Sequence, residues 1–388
     1  MQIDQSLPLL GGLSPAQFMR RHWQKKPLLI RQAFPGIVPP VTRAQAFELA
    51  AQEGVESRLI VHAAAPAKAR KPAWKLRQGP IARTALPPLR QPGWTLLVQG
   101  LDLHVPAAHA LLQQFRFVPQ ARLDDLMISY ATEGGGVGPH LDSYDVFLLQ
   151  VQGRRRWRIG PVADRTLVDG VPLKILANFQ PQQEWLLEPG DMLYLPPMWG
   201  HDGVAEGGEC MTCSIGFRAP SRGELARDLL QRLADIAADA MDDDTPGAAG
   251  PLYRDPSQPA TAEPGRVPVA LGTFAVEAVQ RLLADDEAVA CAVGEVLSEP
   301  KASVWFEPGA ALAGAGAVQL DARTRMMYDD RHVFINGESF RAGGRDAKLM
   351  RRLADEGALD AADVGRLSAD ALGLLSEWAR AGWVRGQA

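Results

Sequence analysis

The stretch "GGGVGPHLDSYDVFLLQ", residues 134–150, sets His140 and Asp142 two positions apart at the start of an apolar run. In a strand, residues i and i+2 project from one face, so an imidazole and a carboxylate can be presented to one point. A third donor stands in "LEPGDMLYLPPMWGHDGV": a Pro189-Gly190 turn, an apolar strand from Met192 to Leu195, a Pro196-Pro197 corner, then His201. A strand returning across a barrel after such an interval brings His201 beside the first pair. Two histidines and one carboxylate occupy one face of an octahedral ion and leave the other positions open, the arrangement of non-haem Fe(II) oxygenases. The open positions matter, because a closed four-ligand site of zinc type has no room for a bidentate 2-oxo acid and O₂. An isolated H-x-D pair is common; one followed by turn, strand, Pro-Pro corner and His is specific.

Such an oxygenase also needs a cation for the distal carboxylate of 2-oxoglutarate. "GRRRWRIG" offers four arginines, and alternation sorts them: Arg154, Arg156 and Arg158 on one face, Arg155 with Trp157 and Ile159 on the other. Arg155 therefore shares the apolar face, where a guanidinium can take a carboxylate through two parallel hydrogen bonds. In "CMTCSIGF" the same rule puts Met211, Cys213, Ile215 and Phe217 on a packing face and Cys210, Thr212, Ser214 and Gly216 opposite. Thr212 and Ser214 suit a pocket wall, although either hydroxyl has its own backbone as an alternative partner. The same alternation separates the two sulfurs of Cys210-x-x-Cys213, which read as packing residues rather than a redox or zinc pair.

The elements that must position these residues are short β-like runs punctuated by Gly and Pro from about residue 15 to 220, including "WTLLVQG", "DLMISYA", "DVFLLQVQG" and "DMLYLPP". That density suggests a sandwich or barrel. After Pro220 the pattern changes: "RGELARDLLQRLADIAADAM" repeats apolar residues at helical spacing. A connector rich in Pro, Gly and Ala follows, then a helical stretch, a hairpin turning at Asn336-Gly337, and a further helix. Helices with a small hairpin suit a winged-helix-like module.

With 388 residues the chain is long enough for two or three cores. Its net charge of −4 and charged fraction of 22% provide no overall basic field for nucleic acid. The N-terminus lacks a basic region followed by a sustained apolar one, and no run approaches a membrane span, so the expectation is a cytoplasmic protein without membrane contact. Three cysteines are too few for a disulfide framework. One local basic run, with Lys68, Arg70, Lys71, Lys75 and Arg77 around Trp74, reads either as a solvated loop or as a positive surface that docks RNA or a ribosomal surface.

Taken together, "GGGVGPHLDSYDVFLLQVQGRRRWRIG", "LEPGDMLYLPPMWGHDGV" and "SIGFRAP" closely resemble the bacterial JmjC-type ribosomal oxygenases, specifically the arginine hydroxylases of a large-subunit ribosomal protein. "HWQKKPLLIRQAF" resembles the segment that precedes the barrel in that family. The resemblance implies an α+β chain: a double-stranded β-helix (cupin/JmjC jelly roll) over 1–219, a helical dimerisation region and connector over 220–265, and a winged-helix-like domain over 266–388. It implies that His140, Asp142 and His201 bind Fe(II) and that Arg155 binds 2-oxoglutarate, with Ser214 and Thr212 near that cosubstrate. It further implies O₂ as second cosubstrate, a ribosomal protein of the large subunit as substrate, a homodimer, and no specific DNA binding. An arginine substrate would want acidic or aromatic residues near the mouth, for which Glu133, Tyr144, Asp145 and Asp202 are candidates. "GGGVGP" reads as a rim that lets substrate backbone approach the metal.

Three other readings compete. A histidyl hydroxylase of a ribosomal protein would use the same triad. A cupin-sensor transcription regulator predicts a basic recognition helix, whereas "DAKLMRRLADEGALDAADVGRL" mixes signs. A non-redox cupin such as an isomerase leaves Arg155 without its ligand.

Overall fold

Gly and Pro interrupt the apolar runs of the first unit often enough that most of them form strands between a few short helices, and ten strands join one sheet. In the computed structural model, which describes residues 2–63, 73–242, 250–312 and 314–386, the chain divides into two units between Ala219 and Pro220. The first unit begins with helix α1 (Pro15–Arg21) and strand β1 (Leu28–Ile30), followed by α2 (Arg43–Ala50), β2 (Ser57–Ala63), β3 (Ala73–Gln78) and β4 (Trp94–Val98). Then come α3 (Pro106–Gln113), β5 (Leu123–Ala131), β6 (His140–Leu141), β7 (Val146–Pro161), β8 (Gln183–Leu187), β9 (Met192–Leu195) and β10 (Trp199–Phe217). Sequence places the helix starts: Ser14 with Gln17 and Thr42 with Gln45 each close a capping box, and Pro15 occupies the first turn.

The sheet runs β1-β9-β7-β10-β5-β4-β2-β3, with β6 added to β10 and β8 to β7. The pairings are antiparallel throughout. One apolar cluster fills the space between the sheet and the helices, joining Phe18, Phe47 and Leu111 to Phe147, Met211, Cys213, Ile215 and Phe217. A second gathers Val146, Leu148, Trp157, Ile159, Leu187, Leu193 and Leu195 on the opposite face. Val146 and Leu148 have even numbers and Trp157 and Ile159 odd ones, so the alternation of β7 shifts by one residue between them. Gly153, at φ +63°, stands at the shift, where the register of β7 against β10 is also irregular. The bulge is what turns Arg155 onto the same face as Leu148.

The Pro189-Gly190-Asp191 turn ties the leading segment to the barrel. The Asp191 carboxylate accepts from the backbone N–H groups of Gln32 and Glu188 and from the Arg31 guanidinium. Burial opposes the charge on Asp191, yet these donors outweigh it and hold the carboxyl below its usual range. Gly190, at φ +95°, cannot become a larger residue without its Cβ lying 2.7 Å from the Phe34 carbonyl oxygen.

The second unit starts with α4 (Arg222–Asp242); α5 (Val269–Leu283) and α6 (Asp286–Ser298) follow the connector. Short strands β11 (Val318–Leu320) and β12 (Met326–Tyr328) lead to the hairpin β13 (His332–Ile335) and β14 (Glu338–Arg341). Asn336 and Gly337 both have positive φ, as a two-residue hairpin turn requires. Helix α7 (Gly344–Glu356) ends at Gly357, φ +76°; β15 (Ala358–Leu359), α8 (Ala361–Val364), α9 (Ala369–Arg380) and β16 (Val384–Gly386) complete the unit. Its core joins Val333, Ile335, Met350, Leu353, Leu375 and Trp378.

Candidate metal centre

β6 and β10 pair so that His140 lies directly opposite His201, and the two rings approach to 4.2 Å between centroids. The long interval between them in sequence is closed by β7, β8 and β9. Asp142 is brought in by the next backbone step: its carbonyl accepts a 2.7 Å hydrogen bond from Met198 N, at the Pro-Pro corner where Met198 adopts φ +65°. Asp142 Oδ2 then stands 3.5 Å from His201 Nε2 and 4.0 Å from His140 Nε2. One donor atom from each residue lies within 4.8 Å of the others, and among the described residues this is the one such group of three or more.

Both imidazoles are oriented by the same local device. Nδ1 of His140 bonds the Gly138 carbonyl at 2.9 Å and Nδ1 of His201 the Trp199 carbonyl at 3.0 Å. A carbonyl only accepts, so each Nδ1 carries a proton and each Nε2 is the ring nitrogen left facing Asp142, as in a metal ligand. Burial, reinforced by the neighbouring His140, lowers the pKa of His201 to about 4, so this ring is neutral at physiological pH. The Trp157 ring, 5.9 Å from His201 between centroids, closes one side. Gly203 sits opposite Trp157 in the strand pairing and leaves room for its indole. A Cβ there would lie 2.6 Å from the ring.

Arg155 is 4% exposed, and among the described residues no carboxylate forms an ion pair with it. Its Nη1 donates to Ser129 Oγ at 2.9 Å and to Thr212 Oγ1 at 3.3 Å, while its buried Nε has no partner. The Thr212 hydroxyl in turn donates a hydrogen bond to Gln150 Oε1 at 2.8 Å. A buried cation with one unused N–H edge is costly unless an anion meets it. A carboxylate approaching that edge would meet the need. Ser214 lies on the Thr212 face of β10 and is half-buried, but Arg155's hydrogen bonds go to Ser129 and Thr212. Ser129 and Gln150 were not picked out by sequence reasoning; their signal is a polar letter at an inward position of an apolar strand, in "LMISYA" and "FLLQV".

Two sequence expectations need correction. Asp145 does not line a mouth: it is fully buried, accepting from Tyr194 Oη at 2.6 Å and Gln24 Nε2 at 3.0 Å, with Arg122 at 3.5 Å. Nor do the central glycines of "GGGVGP" serve as an open rim. A Cβ on Gly135 would lie 2.5 Å from the Trp94 carbonyl oxygen, and one on Gly136 would run into the Gly203 carbonyl, so both admit the chain's own backbone. Glu133 is exposed and accepts from Gly208 N, Tyr144 is exposed, and Asp202 pairs with Arg158 at 3.4 Å. Burial raises the Asp202 pKa despite that arginine. Cys210 and Cys213 are both buried and belong to different apolar clusters, Cys213 in the larger one and Cys210 beside Ala131 and Ala205. Of the basic run, Lys68, Arg70 and Lys71 lie outside the described residues, while Lys75 and Arg77 are exposed on β3.

The sequence profile of the JmjC domain matches residues 110–225, which contain the triad, Arg155 and Thr212, and that of the ROXA-like winged helix matches residues 281–385. The chain is 37% identical over 260 residues to the ribosomal protein uL16 3-hydroxylase of Escherichia coli (strain K12), a match that takes in 64% of this chain and 62% of that protein. The X-ray structure of E. coli ycfD superposes with a TM-score of 0.80 at 30% identity, covering 96% of this chain and 98% of that one. A second structure, described as YcfD, a ribosomal oxygenase, in complex with cobalt and 2-oxoglutarate, matches with a TM-score of 0.77 at 30% identity over 96% and 98% of the two chains. The chain belongs to the bacterial JmjC-type ribosomal oxygenases. As in other JmjC-type oxygenases, its sheet is the jelly roll expected from the strand pattern, and the second unit carries the expected winged helix. No described helix is long and apolar enough to cross a membrane.

Proposed function

We propose that this chain is an Fe(II)- and 2-oxoglutarate-dependent oxygenase that hydroxylates an arginine side chain of a large-subunit ribosomal protein. The observation that carries the reading is the pairing of an open His140–Asp142–His201 set with a buried, half-satisfied Arg155 in one barrel. The donor set fits Fe(II): two imidazoles whose Nδ1 is bonded to a backbone carbonyl, leaving Nε2 toward the site, and one carboxylate, grouped on one side. When bound, Fe(II) with 2-oxoglutarate and O₂ supplies the oxidising equivalent, giving succinate, CO₂ and a hydroxylated side chain.

The protein's own part is binding and positioning. His140, Asp142 and His201 would hold the metal. Arg155, steadied by Ser129 and Thr212, would take the distal carboxylate through two charge-assisted hydrogen bonds. Trp157 keeps water from one side of His201. Ser214 lies farther along the Thr212 face and serves as wall to the same cosubstrate. Specificity then rests on how the substrate carbon is held against the metal.

The oxygenase chemistry is assigned to residues 1–219, dimerisation to the helical region and connector over 220–265, and protein interaction to the winged-helix-like domain over 266–388. A homodimer is also supported from outside that region by α5, at the start of 266–388, which buries none of its residues although Val269, Val276, Val279 and Leu283 are apolar. A ribosomal substrate places the enzyme in the cytoplasm. Turnover of 2-oxoglutarate to succinate by the purified protein, dependent on added Fe(II), tests the activity; saturating Fe(II) without succinate overturns it.

A further inference from the structure

The barrel mouth carries an aromatic pair that the metal reading leaves without a task. His62 on β2 and Trp74 on β3 are direct cross-strand partners, stacked at 4.3 Å between centroids with planes 23° apart. His62 is held in place by its N–H bond to the Gly93 carbonyl at 2.7 Å. On the far side the Trp74 indole closes over Gly138. A Cβ on Gly138 would lie 3.1 Å from Trp74 Cη2 and Cζ2 and 3.2 Å from Ile175 Cδ1. Gly138 adopts φ +78°, and Leu176 N bonds the next carbonyl, that of Pro139, at 2.8 Å. Gly138 is thus enclosed by an indole and an isoleucine. Its carbonyl is the group that fixes the Nδ1 proton and ring rotation of His140.

We infer that the His62–Trp74 stack is a brace that holds the Gly138 carbonyl against His140, making Trp74 a positioning residue for metal binding. The inference rests on the metal-site reading. It has a physical rationale in ring size: the atoms that stand against Gly138 are Cζ2 and Cη2 at the far end of the indole, farther from Cβ than a phenylalanine ring extends. Stacking on His62 needs only an aromatic face, whereas bracing Gly138 needs the full length of tryptophan. Groups that orient a ligating histidine typically contribute about 10–100-fold in metal affinity.

The test titrates Co(II) into the full-length protein and follows the visible absorption of the bound ion, with circular dichroism and thermal melting as checks on the fold. Trp74→Phe keeps the stack and the fold but is expected to weaken Co(II) about tenfold or more, as Trp74→Ala does. His62→Phe, which keeps a ring beneath the indole, is expected to bind Co(II) as the wild type does. Equal Co(II) affinity in wild type, Trp74→Phe and Trp74→Ala overturns the brace. Loss of affinity in His62→Phe equal to that of Trp74→Ala also overturns it, since His62 would then contribute more than a stacking face. Absence of Co(II) binding in the wild type is a separate outcome, and it overturns the metal reading on which the brace depends.

Discussion

Replacing Arg155 by methionine separates its service to a ligand from its service to the fold. The guanidinium offers an incoming carboxylate its unpartnered Nε and the rest of that edge, since Nη1 is taken by Ser129 and Thr212. Two hydrogen bonds to a charged acceptor are worth at least about 3 kcal/mol together. At about 1.4 kcal/mol per tenfold, this is more than about a hundredfold in Kd for 2-oxoglutarate. The fold should not suffer in the same measure. Removing a buried cation that lacks a carboxylate relieves its desolvation, which offsets the two hydrogen bonds to Ser129 and Thr212 that are lost with it. Against this stands the contact of the guanidinium with the Trp157 ring, at 5.4 Å to the centroid, worth about 0.5–2 kcal/mol. Thr212 keeps its bond to Gln150 and Ser129 its bond to the Thr212 carbonyl, so neither hydroxyl is stranded. Isothermal titration of 2-oxoglutarate with Mn(II) present, beside a melting curve, reads both effects. A rise in Kd of less than about fivefold, or a Kd rise explained by unfolding, would refute the reasoning.

His140→Ala and Asp142→Ala should each abolish 2-oxoglutarate turnover while leaving the melting temperature close to wild type; activity in either variant sinks the iron assignment. Gly203→Ala drives a methyl to within 2.6 Å of the Trp157 ring, an overpacking expected to cost about 1–3 kcal/mol and visible as a lower melting temperature. An unchanged melt would show that Trp157 has room to move. Asp191 has a folded-state pKa below its unfolded value of about 3.9. Its stabilisation is therefore present above that unfolded value and lost as pH falls through the folded one. Asp191→Asn should lower the melting temperature near neutral pH, and its gap to wild type should narrow below about pH 4; a gap that stays constant with pH contradicts this.

The site was legible because its chemistry is written in local periodicity. His140 and Asp142 converge through an i, i+2 relation, and the Pro-Pro corner announces the return of His201. Arg155 lies on the inward face expected from sequence, because that face was counted from the residues after Gly153, beyond the bulge that shifts the alternation of β7. Counting from Leu148 would have turned it outward. What sequence did not disclose depends on which distant backbone passes a residue. The glycines at 135 and 136 make space for Trp94 and Gly203, and Asp145 is consumed by Tyr194, Gln24 and Arg122. Trp74, embedded in a basic run, gave no hint that β2 would offer it His62 and the segment before β6 would offer it Gly138. The polar letters Ser129 and Gln150 were visible but silent until the barrel closed around Arg155.

Large-subunit ribosomal proteins from a strain lacking this gene, incubated with the purified chain, Fe(II), 2-oxoglutarate and O₂ and then digested for mass spectrometry, test the central claim most directly. The expected result is the gain of a single oxygen atom, confined to one arginine of one protein and absent when His201 is replaced by alanine. A gain on histidine would move the assignment to the histidyl hydroxylases, and no gain on any ribosomal protein, despite succinate formation, would contradict a ribosomal substrate.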